Sequence, residues 1–174
     1  MKAILMSIRP QHLVNILNGK KTIELRKRLP SDYRGWVYCY CTKTKPYITQ
    51  QSKSQFTIRE TKDFTNLING KVVCRFWVDN VEEIDTNLGH PSIYVKACVQ
   101  DQEAIEYGKG KMVKVISISK LEIFDKPKKL GEFYYYKKRL IDCGRDCPPY
   151  VDEVKTQVRK APQSWQYIYI EEDK

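Results

Sequence analysis

The sequence lacks several features that would assign an activity directly. It has two histidines, His12 and His90, and it contains neither a glycine-rich phosphate loop nor a serine nucleophile elbow. Ser-His and Cys-His hydrolases need a histidine matched to a nucleophile, and nucleotide-binding α/β folds need the glycine-rich turn. Both classes are therefore poorly supported by the sequence.

Long hydrophobic runs are also absent. The apolar stretch in "KAILMSIRP" is too short for the hydrophobic region of a secretory signal, and it reaches Arg9 without a small-residue cleavage site. No run approaches the roughly 20 apolar residues that a membrane-spanning helix needs. We therefore expect a soluble, cytoplasmic protein without a membrane partner.

Six cysteines in such a chain are expected to be reduced thiols and not a disulfide framework. Cys39 and Cys41, together with Cys143 and Cys147, could form a four-thiolate zinc site. Neither pair has the common two-residue spacing of a zinc knuckle, and two cysteines one residue apart on a strand point to the same face. We predict buried thiols, with no metal and no cofactor.

Positive charge is abundant. The chain has 31 Lys and Arg against 21 Asp and Glu, a formal net charge of +10. Residues 1–60 hold twelve basic and three acidic side chains, a charge of +9, so the rest of the chain is almost neutral. Such a concentration predicts a polyanionic partner such as nucleic acid, and the alternative is a solvated basic surface.

The hydrophobic pattern predicts an α+β protein. The pattern predicts strands at residues 1–8, 22–29, 35–42, 70–84 and 111–124 and in the tail "SWQYIYIEE". The 70–84 segment is expected to bend near residues 79 and 80. Residues 10–18 and 101–107 have the character of short helices, ended by Gly19 and Gly108. We predict one domain over residues 1–174: a small barrel of five or six strands with two or three short peripheral helices. Residues 43–70 are expected to form a long insertion loop.

The most basic stretch is "NGKKTIELRKR", residues 18–28. Alternation places Glu24, Arg26 and Arg28 on one face of a strand, with Lys20 and Lys21 in the turn before it. Such a face can bind a phosphate, or the polar edge of a base, through hydrogen bonds. Glu24 would either orient Arg26 or accept a hydrogen bond from a base amine, and the alternative is an ordinary surface ion pair.

The segment "SIRPQHLVNILNGKKTIELRKRLP" resembles the start of an ASCH domain, a family with a β-barrel similar to the PUA domain. The family hallmark is G-x-K-x-x-E-x-R, and Gly19, Lys21, Glu24 and Arg26 fill its fixed positions. The tail "APQSWQYIYIEE" and the segment "LEIFDKPKKLGEF" resemble later parts of these domains. The resemblance does not extend to residues 43–70 or 134–160, which we interpret as insertions.

The resemblance implies a basic cleft in which Lys21, Glu24 and Arg26 face RNA, another nucleic acid or a modified nucleoside, with Ser7 and Arg9 at its rim. One subgroup of the family hydrolyses N4-acetylcytidine with a lysine that matches Lys21. That subgroup has a threonine at the position of Glu24, and ribonuclease activity has been attributed to other members. The alternative function is therefore an amidohydrolase or ribonuclease with Lys21 and Glu24 as catalytic residues, and a further alternative is a protein-interaction module.

A second basic stretch, "FYYYKKR", joins residues 134–136, which are tyrosines, to a cationic run at residues 137–139. Tyrosines can stack on bases beside a track of phosphates, although alternation buries at least one of them. Trp36 is large enough to line a cleft. The complete predicted ligand-binding set is Ser7, Arg9, Lys20, Lys21, Glu24, Arg26, Arg28, Trp36, Tyr135 and Lys137.

Overall fold

The computed structural model describes residues 1–141 and 150–170. Within these ranges the protein is mixed α+β, as predicted, with three α-helices and twelve strands. The helices are α1 (Pro10–Leu17), α2 (Pro91–Ala97) and α3 (Asp101–Gly108). None of the described helices combines the length and apolar character needed to cross a membrane. The strands are β1 (Lys2–Ile8), β2 (Ile23–Arg26), β3 (Gly35–Cys41), β4 (Tyr47–Ser52), β5 (Gln55–Arg59), β6 (Val72–Val78), β7 (Val81–Asp85), β8 (Met112–Ser117), β9 (Ser119–Lys128), β10 (Tyr134–Ile141), β11 (Tyr150–Gln157) and β12 (Trp165–Tyr169).

The strands form three sheets that stay open. The large sheet has seven strands in the order β11-β10-β12-β1-β3-β6-β9, the small sheet has the order β2-β8-β7, and β4 pairs with β5. Among the described residues β11 and β9 stand at the two edges of the large sheet without pairing to each other. The prediction of a closed barrel with five or six strands is therefore wrong, because alternation along a strand does not specify its partner strands.

The strand count exceeds the prediction partly because two predicted strands are each divided. The 70–84 segment becomes β6 in the large sheet and β7 in the small sheet, so the expected bend near Asp79 and Asn80 separates two sheets. The 111–124 segment likewise divides into β8 and β9, and Lys120 has a positive φ of 45° just after this division. These two crossings connect the sheets.

The two segments interpreted as insertions contain β-hairpins, so the loop expected at residues 43–70 was wrong. Residues 43–70 contain β4 and β5, and Phe56 on β5 packs in the core that also contains helix α1. The side-chain amide of Asn18 donates to the Phe56 carbonyl at 3.0 Å and accepts from the Phe56 N–H at 3.3 Å. Strands β10 and β11 form the second hairpin, which extends the large sheet. Neither β4, which is buried at one end and exposed at the other, nor β10, which is mostly exposed, shows the alternation that identifies a strand.

Three hydrophobic cores hold the sheets together. One core lies on the α1 face of the large sheet, and a second lies on the opposite face. The third joins Ile23 and Leu25 of β2 to helices α2 and α3. On β8, Ile116 belongs to the first core while Val115 belongs to the third. The small sheet is therefore covered on both faces, so the charged face of β2 is turned toward the first core.

The cysteines on β3 behave as predicted. Cys39 and Cys41 lie on the same face, both fully buried, beside Cys74 of β6. Burial raises the pKa of Cys41 to about 12, and burial together with Cys74 raises the pKa of Cys39. In the described residues no three His, Cys, Asp or Glu side chains are grouped to hold a metal. Cys143 and Cys147, the other half of the considered zinc site, lie outside the described residues.

Candidate functional site

Gly19 sets the turn between α1 and the basic strand. Its φ of 70° is a left-handed backbone conformation that favours glycine, so the chain can leave the helix abruptly. The N–H groups of Lys20 and Lys21 then both donate to the Asn15 carbonyl, at 2.8 and 3.0 Å. This turn directs Lys21 to the interior, whereas the neighbouring Lys20 remains exposed.

The central feature is an ion cluster formed by Lys21, Glu24 and Arg26, here named the buried triad. One Glu24 carboxylate oxygen lies 2.9 Å from Arg26 Nη2, and the other lies 3.4 Å from Lys21 Nζ. Lys21 is 3% exposed and Glu24 is 5% exposed. Alternation placed Glu24 and Arg26 on one strand face and Lys21 in the turn before it, and the structure buries this group instead of exposing it as a charged surface.

Main-chain carbonyls hold both cations of the triad. Lys21 Nζ donates to the Ala97 carbonyl at 2.5 Å, at the end of α2. Arg26 Nη2 donates to the Ser7 carbonyl at 2.8 Å, and Arg26 Nη1 reaches Ser164 Oγ at 3.4 Å. Arg26 Nε is buried and has no hydrogen-bond partner within the described part of the chain. The triad thus joins β2 to α2 and to the large sheet. The Arg26 Nε–H remains as a donor without an acceptor among the described residues.

The triad carries a net charge of +1 when all three groups are ionised. Burial by itself raises the pKa of Glu24, but Arg26, Lys21 and the nearby His12 outweigh it, and the pKa is lower than usual. The carboxylate is therefore ionised at neutral pH. A buried ion cluster adds little net stability compared with apolar packing. Such a cluster is therefore a candidate for a binding or catalytic site.

Four side chains surround the triad and form what we name the rim: Arg9, His12, Lys27 and Tyr107. Arg9 and Lys27 are exposed, and the Lys27 ammonium lies 5.0 Å from the centre of the Tyr107 ring. Burial lowers the pKa of His12, with Lys21 and Arg9 acting in the same direction against Glu24 and Glu103. Burial also raises the pKa of Tyr107, against the opposing effect of Arg26 and of the Lys27 backbone. The rim therefore combines two exposed cations with a neutral imidazole and a neutral phenol.

Several predicted site residues contribute differently from the expectation. The Ser7 hydroxyl donates to the Pro162 carbonyl at 2.6 Å, so Ser7 contacts the triad only through its main chain. Arg28 is exposed, and its carbonyl accepts the indole N–H of Trp165 at 2.7 Å. Lys20 and Arg28 therefore lie on either side of the triad in the sequence, and both side chains are exposed.

Trp36, Tyr135 and Lys137 are not grouped with the triad. Trp36 and Tyr135 pack on the second core, across the large sheet from the first. The Trp36 ring contacts Trp77 edge to face at 5.4 Å, and the Arg75 guanidinium lies 4.2 Å above it. Lys137 is exposed on β10. The sequence could not separate these residues from the triad because alternation defines a face of one strand and not a side of the whole sheet.

Sequence reasoning missed three of the four rim residues. His12 and Lys27 lie within the segment that carried the family motif, so proximity to that motif was a usable signal. Tyr107, at the end of α3, had no such signal. Glu82 and Glu83 on β7, at the edge of the small sheet, have partners outside the triad: Glu82 accepts from Asn80 at 2.9 Å, and Glu83 pairs with Lys114 at 2.5 Å.

The fold resembles that of an ASCH protein from Zymomonas mobilis. Its crystal structure matches with a TM-score of 0.57 and 16% sequence identity, covering 95% of this chain and 86% of that chain. A serine-to-alanine variant matches with a TM-score of 0.56 and 15% identity, covering 95% and 87%. A tyrosine-to-phenylalanine variant gives 0.50 and 16%, covering 75% and 77%. No protein-family model and no curated protein sequence matches the chain.

Proposed function

Because the chain has the ASCH fold, we propose that it binds RNA at the buried triad and its rim. The observation that carries the proposal is the pairing of a net-positive buried cluster with the exposed cations Arg9 and Lys27. Arg9 and Lys27 would contact phosphates, which supply most of the affinity for nucleic acid. Arg26 Nε, buried and without a partner among the described residues, would donate to a phosphate or base oxygen that approaches between them.

Glu24 has an orienting role in this proposal. Its carboxylate is already engaged by Lys21 and Arg26, so it fixes the guanidinium plane before any ligand arrives. A pre-oriented cation loses less conformational freedom on binding than a mobile surface lysine. This arrangement favours orientation of Arg26 over the alternative in which Glu24 reads a base amine.

Fluorescence anisotropy of a labelled single-stranded RNA tests the proposal. The wild-type chain should bind with an affinity that falls as salt rises, by a slope of about 0.7 for each phosphate contact on a single strand. The variant Arg9→Ala/Lys27→Ala should bind more weakly and with a shallower salt dependence.

The matched control is Lys126→Ala/Lys128→Ala, which removes two exposed lysines of β9, at the outer edge of the large sheet, and should bind like the wild type. Equal loss of affinity in both double variants would reduce the effect to overall charge and overturn the assignment to the rim. Absence of salt-dependent binding by the wild type would overturn the proposal itself.

One observation favours a second candidate, an RNA or nucleoside hydrolase. His12 is within electrostatic range of Lys21 and Glu24, and its burial-lowered pKa supplies a neutral imidazole suited to accept a proton. Incubation with RNA and, separately, N4-acetylcytidine would reveal product by chromatography. Lys21→Met removes the amine while keeping the aliphatic stem. Product that forms with the wild type and is lost in a folded Lys21→Met variant would establish lysine-dependent catalysis.

A further inference from the structure

The large sheet separates between β10 and β12. Among the described residues these strands pair only at Tyr134 and Tyr169, whereas β10 pairs with β11 along its whole length. The separation leaves a groove of about 330 Å³, named here the β10–β12 groove. It lies apart from the rim and takes in part of the second basic stretch.

Exposed aromatic faces and cations line the groove. Tyr136 packs edge to face against Tyr169 with ring centres 4.6 Å apart, and the two side chains are 41% and 37% exposed. The Lys2 ammonium lies 3.6 Å from the centre of the Tyr167 ring. Lys138 also lines the groove. Tyrosine faces beside lysine ammonium groups are suited to stacking a base next to its phosphate.

The side chain of Gln166 is a second, independent indication that the groove is a binding site. It lines the groove, and its side-chain nitrogen is buried without a hydrogen-bond partner among the described residues. A buried donor without an acceptor costs about 1–3 kcal/mol, so a native structure that keeps one calls for an explanation. An amide is also a group that reads base edges by hydrogen bonding. A ligand with an acceptor oxygen or nitrogen would satisfy it.

Strand β12 links the groove to the buried triad. Trp165, Tyr167 and Tyr169 share one face of the strand, about 6.6 Å apart along it, and the Trp165 and Tyr167 rings are 5.3 Å apart. Ser164, immediately before β12, lies next to Arg26. A row of aromatic rings, half-buried at Trp165 and Tyr167 and exposed at Tyr169, therefore runs from the triad to the groove, and its accessible edges offer contacts for unstacked bases.

We propose that the β10–β12 groove binds a nucleotide of a single-stranded nucleic acid whose chain continues along β12 to the triad. The base contacts Tyr136 and Tyr169, and Lys2 and Lys138 contact the phosphates. Gln166 projects from the opposite face of β12, so it donates to an acceptor that enters the gap between β10 and β12. Glu153 is the acidic side chain of the lining, so the lysines leave the groove with a positive balance. This inference rests on the proposed function, since it extends the same RNA site by a second contact region.

The test measures how affinity depends on RNA length. Fluorescein-labelled oligouridylates of 2 to 12 nucleotides are titrated with the full chain and with Tyr136→Ala/Lys138→Ala. Wild-type affinity should increase with length until both regions are occupied. The variant should bind the shortest RNAs within twofold of the wild type and lose about tenfold for the longest, which lies within the roughly 5- to 150-fold that one stacked base contributes.

Matched controls separate the groove from general surface effects. Lys62→Ala/Phe64→Ala removes an exposed lysine and a 39% exposed aromatic side chain near the β4–β5 hairpin, and it should bind all lengths like the wild type. Gln166→Leu should weaken binding of long RNA about threefold without lowering the urea midpoint, because the removed donor has no hydrogen-bond partner within residues 1–141 and 150–170.

The outcomes distinguish the two proposals. Wild-type binding with equal affinity for the groove variant at every length would overturn the groove and leave the triad assignment intact. A groove variant that loses affinity for short and long RNA alike would also overturn the inference. Failure of the wild type to bind any oligonucleotide would overturn the proposed function, and the groove assignment with it.

Discussion

The buried triad and the β10–β12 groove hold positive charge in opposite ways. In the triad, a carboxylate lies between two cations that are almost closed off from water. In the groove, the Lys2 ammonium lies over an aromatic ring and remains in contact with solvent. Desolvation makes the triad dependent on every one of its partners, whereas solvent around the groove screens the loss of any single charge.

This difference also separates their suggested roles. A fixed guanidinium with one spare donor suits a single oriented contact, as at Arg26. Exposed rings and lysines suit stacking that tolerates any base. Removing a triad partner should therefore cost fold stability, and removing a groove partner should cost affinity for long ligands. The following predictions test that division.

The largest expected effect is the loss of Glu24. Glu24→Gln leaves Lys21 and Arg26 as buried cations without a counter-charge, and breaking a buried ion pair in this way costs about 3–5 kcal/mol. Urea unfolding followed by circular dichroism measures the change. The control is Glu122→Gln, which removes the partner of Arg75 at the surface and should cost less than about 1 kcal/mol. Similar small costs for both variants would contradict the distinction between buried and exposed charge.

Acidification should destabilise the triad in two stages. The folded-state pKa of His12 is lowered, so its contribution is complete above the unfolded value near 6.5 and is lost as pH falls through the folded pKa. The pKa of Glu24 is also lowered, so its contribution is complete above about pH 4.3 and is lost at lower pH. Urea midpoints between pH 8 and pH 3 measure both stages.

His12→Gln is the control for this pH profile. It should remove the upper stage and keep the lower one, while Tyr136→Ala in the groove should keep both. A wild-type urea midpoint that stays constant from pH 8 to pH 5 would contradict the role given to His12.

A smaller effect is expected where β12 meets the basic strand. Trp165→Phe removes the 2.7 Å bond from the indole N–H to the Arg28 carbonyl and should cost about 1 kcal/mol, besides the loss of ring area. Trp77→Phe gives the matched loss of ring size on β6. If the Trp165 variant loses no more long-RNA affinity than the Trp77 variant, β12 does not connect the groove to the triad.

The smallest expected effect on stability is at Lys2. An exposed cation–π contact is worth about 0.5–1 kcal/mol, so Lys2→Ala should barely move the urea midpoint. The affinity for long RNA should nevertheless fall, because a phosphate contact is lost. A variant with a lowered midpoint and unchanged affinity would show that Lys2 serves the fold instead of the ligand.

Much of the N-terminal part of the fold was predictable from local sequence. Strand β1 and helix α1 lie where the apolar pattern and Pro10 placed them, and Gly19 ends the helix as expected. The loop expected at residues 43–70 was wrong, because the buried and exposed residues of β4 follow one another in blocks and do not alternate. The interpretation of residues 134–160 as an insertion stays a prediction. The short helix α2, which supplies the carbonyl for Lys21, was also missed.

The candidate site was predictable at its centre and not around it. Lys21 lies just before β2 and Glu24 and Arg26 lie on it, within six residues of one motif, so short sequence separation brings them together. His12, Tyr107 and Ser164 come from three separate segments. Only chain folding over long sequence separations brings such residues to one place.

The sequence by itself determined which side chains share a face: Glu24 with Arg26 on β2, and Cys39 with Cys41 on β3. The period of two along a strand is a local property of the backbone, so these relations hold wherever the strand is placed. The tertiary structure decided that the charged face of β2 is buried and that Trp36 and Tyr135 lie on the other side of the large sheet. Burial depends on which sheets and helices pack against a face, and that choice is made by the sum of distant contacts.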